Sequence, residues 1–421
     1  MVTLFPLFFL LAFAVCEDNV RYAAVIYRHG DRTPVNFYPN DPWHNESNWP
    51  VKPGQLTNEG KRQHFALGQW LRKRYAHLVS ANFNPTEIYV RSTDVDRTLM
   101  SAQVNLAGMY PPKGQAVWNN DLNWQPVPVH TVPEYEDEVL AMKRKCPAFD
   151  REYEKLKRTT EYKNRLNRFQ NLMEYLSINS GMKVKDYDDI VDIYSTLYIE
   201  SLYNFTLPNW TASVFPDKMR EPACYSFVTS TMTPMLARLK AGPFLQDVIG
   251  SMMYIISNET IGSNYTLPRL AIYSGHDYTI GNILNALGVF DKNCPPYTAT
   301  IFMELIKVDV RYYVRISYRN STEIVEPRVL ILPHCAQDCP IARFNELYRN
   351  LLTVNWNYEC GKQFPPLLGV SFFVGLAIFF TMYIVHKLHF ARVSHNYGVT
   401  TGYGYSKFGS PTLTILKSGP S

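Results

Sequence analysis

The run Tyr22-Ala23-Ala24-Val25-Ile26-Tyr27 passes directly into Arg28-His29-Gly30-Asp31-Arg32-Thr33-Pro34, and this junction decides the fold class. The apolar run has the length and β-branched content of a strand buried on both faces. The charged motif then falls on the loop leaving the strand's C-terminal end, where open α/β sheets place their ligands. There an imidazole stands between two guanidiniums, each able to donate paired hydrogen bonds to anionic oxygens without losing its charge. Such a cradle suits a dianionic oxyanion, and a phosphoryl group is the expected ligand.

Two further segments repeat the order of strand, polar loop and helix, the pattern of a parallel sheet with crossover helices. Ile88-Tyr89-Val90 leads into Arg91-Ser92-Thr93-Asp94-Val95-Asp96-Arg97, and Leu270-Ala271-Ile272-Tyr273 leads into Ser274-Gly275-His276-Asp277. If the three strands are parallel, Arg28, His29, Arg32, Arg97, His276 and Asp277 face one cleft. Thr57 to Tyr75 reads as an amphipathic helix capped by Thr57. Thr279 to Leu287 reads as a helix stopped at Gly288. Residues 133–255 lack strong strand runs and carry long charged stretches of helical period, such as Asp150 to Leu176, which predicts a helical insertion over the cleft. Thr300 to Lys307 and Arg311 to Tyr318 predict a hairpin extending the sheet.

The rest of the chain sets the compartment. A net charge of +5, from 42 Lys and Arg against 37 Asp and Glu, does not suggest a nucleic-acid binder. Residues 1–16 have the apolar core and small-residue end of a secretory signal, although no basic residue precedes the run. Leu367 to Val385 is uncharged and, as a helix, covers about 28 Å, enough to cross a bilayer. The basic residues after it predict that 386–421 is a cytoplasmic tail and that 17–366 lies on the other side. Sequons at Asn45, Asn204, Asn209, Asn258, Asn264 and Asn320 all precede the span, as glycosylation in the secretory route requires. Removal of Cys16 with the signal leaves Cys146, Cys224, Cys294, Cys335, Cys339 and Cys360, an even set that allows fifteen pairings. Zinc at Cys335 and Cys339 lacks further ligands beyond His334 and is the weaker reading. His44, His64, His130 and His334 carry no partner pattern and read as structural or surface residues.

Hydrolysis of a phosphate monoester needs a nucleophile, fixed positive charge around phosphorus, and an acid for the departing alcohol. His29 is the candidate nucleophile, because its flanking cations disfavour the protonated imidazole. Asp277 is the candidate acid and has to start the cycle protonated. His276 and Arg97 complete the anion cradle. The alternatives are that Arg97 salt-bridges Asp94 or Asp96, and that His276-Asp277 only caps a helix. No cofactor or metal motif is present, and none is expected.

Arg28 to Pro34, Gln55-Leu56-Thr57, Arg91 to Ala102, Trp124 to Pro133, Asn204 to Pro208, His276-Asp277 and Leu332 to Phe344 resemble the histidine acid phosphatase family, in its lysosomal and prostatic branch. The resemblance runs from about residue 20 to 360. It implies a phosphoglycerate-mutase-like α/β domain over 17–132 and 256–360, with a mixed central sheet flanked by helices and a smaller α-helical cap over 133–255. It also implies a phosphohistidine on His29, phosphate held by Arg28, Arg32, Arg97 and His276, and Asp277 as acid. By the same resemblance Cys146 pairs with Cys360 and Cys335 with Cys339. Where the family carries a further cysteine pair this chain has Ile199 and Thr300, and Cys224 with Cys294 is the expected substitute. Gly275 and Tyr278 also depart from common family choices beside the catalytic pair.

The anchor and tail are similar to the lysosomal member, and Tyr405-Ser406-Lys407-Phe408 is similar to a tyrosine-based sorting signal for an adaptor. The expected protein is thus a homodimeric, single-pass lysosomal or endosomal membrane phosphatase acting on small phosphate monoesters. A plasma-membrane or secreted form is the variant of this setting. A selective inositol-phosphate or lysophosphatidic acid phosphatase, and an inactive surface receptor, are the alternatives.

Overall fold

The computed structural model describes residues 19–261, 267–361 and 367–396. The expected signal at 1–16, Asn264 and the tail motif at Tyr405 lie outside them. Seven strands form one mixed sheet: β1 (Val20–Arg28), β2 (Ile88–Ser92), β3 (Leu270–Gly275), β4 (Thr300–Val308), β5 (Arg311–Arg319), β6 (Arg328–Leu330) and β7 (Asp338–Pro340). Their order is β2-β3-β1-β4-β5-β6, with β7 also on β5. β1, β2 and β3 are parallel, whereas β4 joins β1 antiparallel and turns into β5 as the predicted hairpin.

Alternation along β1 assigns its two faces. Ala23, Val25 and Tyr27 enter one core; Tyr22, Ala24 and Ile26 enter the other, so both faces are buried as the apolar run predicts. The first core is closed by α1 (Asn58–Arg74) and α2 (Asp96–Met109) through Leu67, Leu71, Ala102 and Leu106. Thr57 caps α1 with its side-chain oxygen accepting from the Gly60 N–H.

Among the described residues no strand falls between Ser92 and Leu270. That stretch holds α3 (Pro147–Arg158), α4 (Thr160–Asn167), α5 (Gln170–Ser180), α6 (Tyr187–Leu202), α7 (Asp217–Thr229), α8 (Pro234–Lys240) and α9 (Gly242–Ile261). The helical pattern from Asp150 to Leu176 is broken at Thr159, which caps α4, and at Phe169, which precedes α5. α5, α6 and α7 build a core of their own around Met173, Ile190, Leu197 and Phe227. α9 instead lays Phe244, Val248 and Met252 on the second face of the sheet, beside Ile280 and Ile283 of α10 (Asp277–Ala286). α11 (Ile341–Leu347), α12 (Arg349–Leu352) and α13 (Trp356–Glu359) end the unit that closes at Gly361.

The second unit begins at Lys362 and contains α14 (Leu367–Asn396). Among the described residues no helix is long and apolar enough to cross a membrane. Side chains on α14 are described from 375 to 389, so the segment Leu367 to Val385 lies partly outside them.

Three disulfides join Cys146 to Cys360, Cys224 to Cys294 and Cys335 to Cys339. The last takes both thiols away from any zinc site.

α1 and α2 meet at Gly68, where a Cβ would lie 1.9 Å from the Asn105 backbone oxygen. Backbone cannot yield as a flexible side chain does, so Gly68→Ala must force the helices apart. We expect a loss of about 1–3 kcal/mol in urea unfolding of the folded chain, and an unchanged midpoint would contradict this packing.

Candidate active site

Strand register brings the motif residues together. Arg28 pairs with Gly275 and Ser92 with Ser274, so β1, β2 and β3 end side by side. His29 and His276 leave adjacent strand ends, and their rings stand edge to face at 5.7 Å. Arg97 arrives from the first turn of α2, and Asp277 opens α10 with His276 as its N-cap. Gly30 is required where the motif loop meets α1, since a Cβ there would sit 2.5 Å from the Gly60 carbonyl oxygen. Its N–H donates to Ser101 Oγ at 3.2 Å.

A cleft of ≈ 560 Å³ is lined by His29, Arg32, Arg97, His276 and Asp277. A smaller cavity of ≈ 240 Å³, sharing Arg32 and Asp277 with it, is lined by Arg28. The structure thus gathers all six residues expected from the sequence at one place.

The hydrogen bonds fix the tautomer of His29. Its Nδ1 lies 2.8 Å from the Gly30 carbonyl oxygen, which can only accept, so Nδ1 carries the proton and Nε2 keeps its lone pair. Burial, then the charges of Arg97, Arg28 and Arg32, hold this imidazole well below its usual range. Burial and Arg97 likewise push His276 down to about 3, and its Nε2 is 2.9 Å from Thr93 Oγ1.

Among the described residues neither Asp94 nor Asp96 ion-pairs with Arg97, so its charge is left to the cleft. Burial and the Arg32 charge lower even this guanidinium to about 10.

Asp277 differs from the sequence-based expectation. Burial favours its neutral acid, but Arg28 and Arg32 outweigh burial and hold the carboxyl below its usual range. Arg28 Nη2 meets Asp277 Oδ2 at 2.9 Å. These charges, with the Arg28 contact, favour the carboxylate form of Asp277 over its acid.

Several supporting residues escape sequence reading. His64 of α1, fully buried, has Nε2 3.2 Å from the Arg28 carbonyl oxygen and so donates to it. Its place on the apolar stripe with Leu67 and Leu71 is the signal that marks it as facing the sheet. Tyr297 lies under the Arg28 guanidinium at 4.4 Å, and the Pro295 carbonyl accepts from Arg28 Nη1 at 2.5 Å. The remaining unpatterned histidines serve the frame or the surface: His44 packs on Asp41 O, His130 stacks on Tyr89, and His334 is exposed.

A model of the histidine phosphatase superfamily (branch 2) matches residues 19–319. The chain is 37% identical over 362 residues to the prostatic acid phosphatase of Homo sapiens, covering 85% of this chain and 92% of that protein. It is also 37% identical over 347 residues to the lysosomal acid phosphatase of Xenopus laevis, covering 81% of this chain and 79% of the other. The structure of the phytase from Citrobacter braakii shares the fold with a TM-score of 0.59 at 17% identity, over 81% of this chain and 99% of that one. The chain belongs to the histidine phosphatase superfamily, branch 2.

The buried neutral histidines leave a mark on stability. His64 is pushed down to about 3 by burial, so between that value and its unfolded pKa the unfolded chain binds the extra proton. The stability that His64 supports is complete above pH ~6.5 and falls by about 1.4 kcal/mol for each pH unit below it. We expect His64→Gln to flatten the fall in unfolding free energy between pH ~6 and ~4 by about that slope. A parallel curve would contradict a neutral His64.

Proposed function

We propose that the protein is an acid phosphatase that hydrolyses phosphate monoesters through a phosphohistidine on His29. The observation that carries this reading is a neutral imidazole, with Nε2 bare, inside a cluster of Arg28, Arg32 and Arg97. The phosphoryl oxygens bind to those guanidiniums and to His276. Nε2 of His29 attacks phosphorus, the P–O ester bond breaks, and the alkoxide leaves with a proton from Asp277. Water then attacks phosphorus, the P–N bond breaks, and Asp277, now a carboxylate, takes the water's proton. His29 returns to its neutral form.

The ionised Asp277 fits this cycle once substrate charge is counted. The ester's oxygens neutralise the guanidiniums whose field keeps Asp277 ionised, and burial then favours its acid form. With a second pKa near ~6, a phosphate monoester arrives in acid as a monoanion and brings the proton that Asp277 needs. Acidic operation thus follows from the substrate as well as from the site.

The setting belongs to the same proposal. The helical insertion over 133–255 caps an α/β domain formed by 17–132 and 256–360. A span over Leu367 to Val385 anchors a homodimer in the lysosomal or endosomal membrane, with the catalytic part lumenal and Tyr405 offered to a sorting adaptor. Support comes from the lysosomal relative, from the sequons, of which Asn45, Asn204, Asn209 and Asn320 are exposed, and from the disulfides. Oxidising, glycosylating compartments suit all three.

Rapid quenching of phenyl [32P]phosphate turnover at acid pH tests the mechanism. Acid-labile, base-stable label should accumulate on the wild type and be absent from His29→Ala. Turnover by the wild type without any label would contradict covalent catalysis.

A further inference from the structure

We propose that Cys294–Tyr297 is a clamp on Arg28, anchored at one end by the Cys224–Cys294 disulfide and just beyond its other end by the Arg319 guanidinium. The inference rests on the reading of Arg28 as a phosphate ligand. It assigns positioning roles to a disulfide and a buried cation that take no part in the chemistry.

Arg28 is held on three sides. Asp277 takes Nη2 at 2.9 Å, the Pro295 carbonyl accepts from Nη1 at 2.5 Å, and the Tyr297 ring lies 4.4 Å below the guanidinium carbon. Two of the three contacts come from one short segment between α10 and β4, which has no helix or strand of its own. A backbone carbonyl and a ring aim a guanidinium only if the chain carrying them is fixed. Aim matters because two-point binding of an oxyanion depends on the orientation of the planar fork.

The first anchor is covalent. Cys294, directly before Pro295, is bonded to Cys224 on α7, and Cys224 is buried. The second is Arg319 at the end of β5, whose Nη2 donates to the Thr298 carbonyl at 2.7 Å and to Thr300 Oγ1 at 3.2 Å. Thr298 sits at φ 57°, a left-handed conformation that a β-branched residue adopts only when its surroundings impose it. Its N–H donates to the His29 carbonyl at 3.3 Å, so the turn that ends the clamp also touches the nucleophile's backbone.

Arg319 is 1% exposed, and among the described residues no carboxylate is within ion-pair distance of it. Its Nε and Nη1 have no hydrogen-bond partner there. A guanidinium kept in so costly a place has to contribute something that an apolar side chain of similar size cannot. The fork that ties Thr298 O to Thr300 Oγ1 is that contribution. Thr300 also stands where resemblance to the family expects a cysteine. Thr300 Oγ1 on β4 accepts from Arg319, and Cys294 gives the loop that holds Arg28 its covalent tie.

Calorimetric titration with inorganic phosphate at acid pH tests the clamp in the whole protein, together with kcat and KM for phenyl phosphate. The double variant Cys224→Ser with Cys294→Ser removes the bridge and leaves neither of its two thiols. We expect its phosphate Kd and its KM to rise roughly tenfold while kcat changes by less than about threefold. In an Arg28→Ala background the same change should have no further effect on phosphate binding, because the bridge acts through Arg28. Tyr297→Leu, which keeps the bridge, should show the same pattern and replaces the double variant if that does not fold. Unchanged phosphate affinity, or an equal loss with and without Arg28, would overturn the clamp. Wild-type protein that binds phosphate but does not release it from the ester would overturn the proposed function alone.

Discussion

Positive charge gathered around one neutral imidazole is the constraint on which the site depends. Two like charges ~6 Å apart at an effective dielectric of ~20 repel by about 3 kcal/mol. A cluster of three guanidiniums therefore exists only because the fold holds it. The parallel ends of β1, β2 and β3 supply the platform, and α2 and the motif loop aim Arg97 and Arg32 from two sides. Among the described residues the single carboxylate partner within this cluster is Asp277 on Arg28. The same field that, after burial, keeps His29 unprotonated is a stored affinity for an oxyanion.

That constraint links groups that look independent. Asp277 neutralises part of the charge through its contact with Arg28, and in the proposed cycle phosphate oxygens take its place. Its protonation is thereby tied to occupancy and not to pH alone. His64 and Ser101 hold the motif backbone from α1 and α2, so the core on that face of β1 also sets the position of His29.

Much of this was legible in the sequence because it is periodic or local. The two-residue alternation of β1, the cap at Thr57, the hairpin from Thr300 and the strand ends that carry Arg28, His29 and His276 are all read from neighbouring residues. Convergence of the six side chains followed from assuming parallel strands, which the register justifies. The lowering of the Asp277 carboxyl was not legible, because it depends on a 2.9 Å contact between residues far apart in the chain. Nor was the role of Pro295, whose contribution is a backbone carbonyl in a loop without period. Arg319 was hidden for another reason: a guanidinium at a strand end reads as a surface charge until its burial is seen. The helical period of α9 likewise shows an apolar face but not that the sheet receives it.

Nitrogen-15 NMR of the imidazole-labelled protein, followed from pH 7 to 4 in the absence of phosphate, reads the protonation of His29 itself. One His29 signal pair is expected, protonated at Nδ1 and bare at Nε2, that takes up no proton around the ordinary imidazole midpoint of ~6.5. A His29 that takes up a proton with a midpoint near ~6.5 would show that neither burial nor the guanidiniums hold it unprotonated, contrary to the site described above.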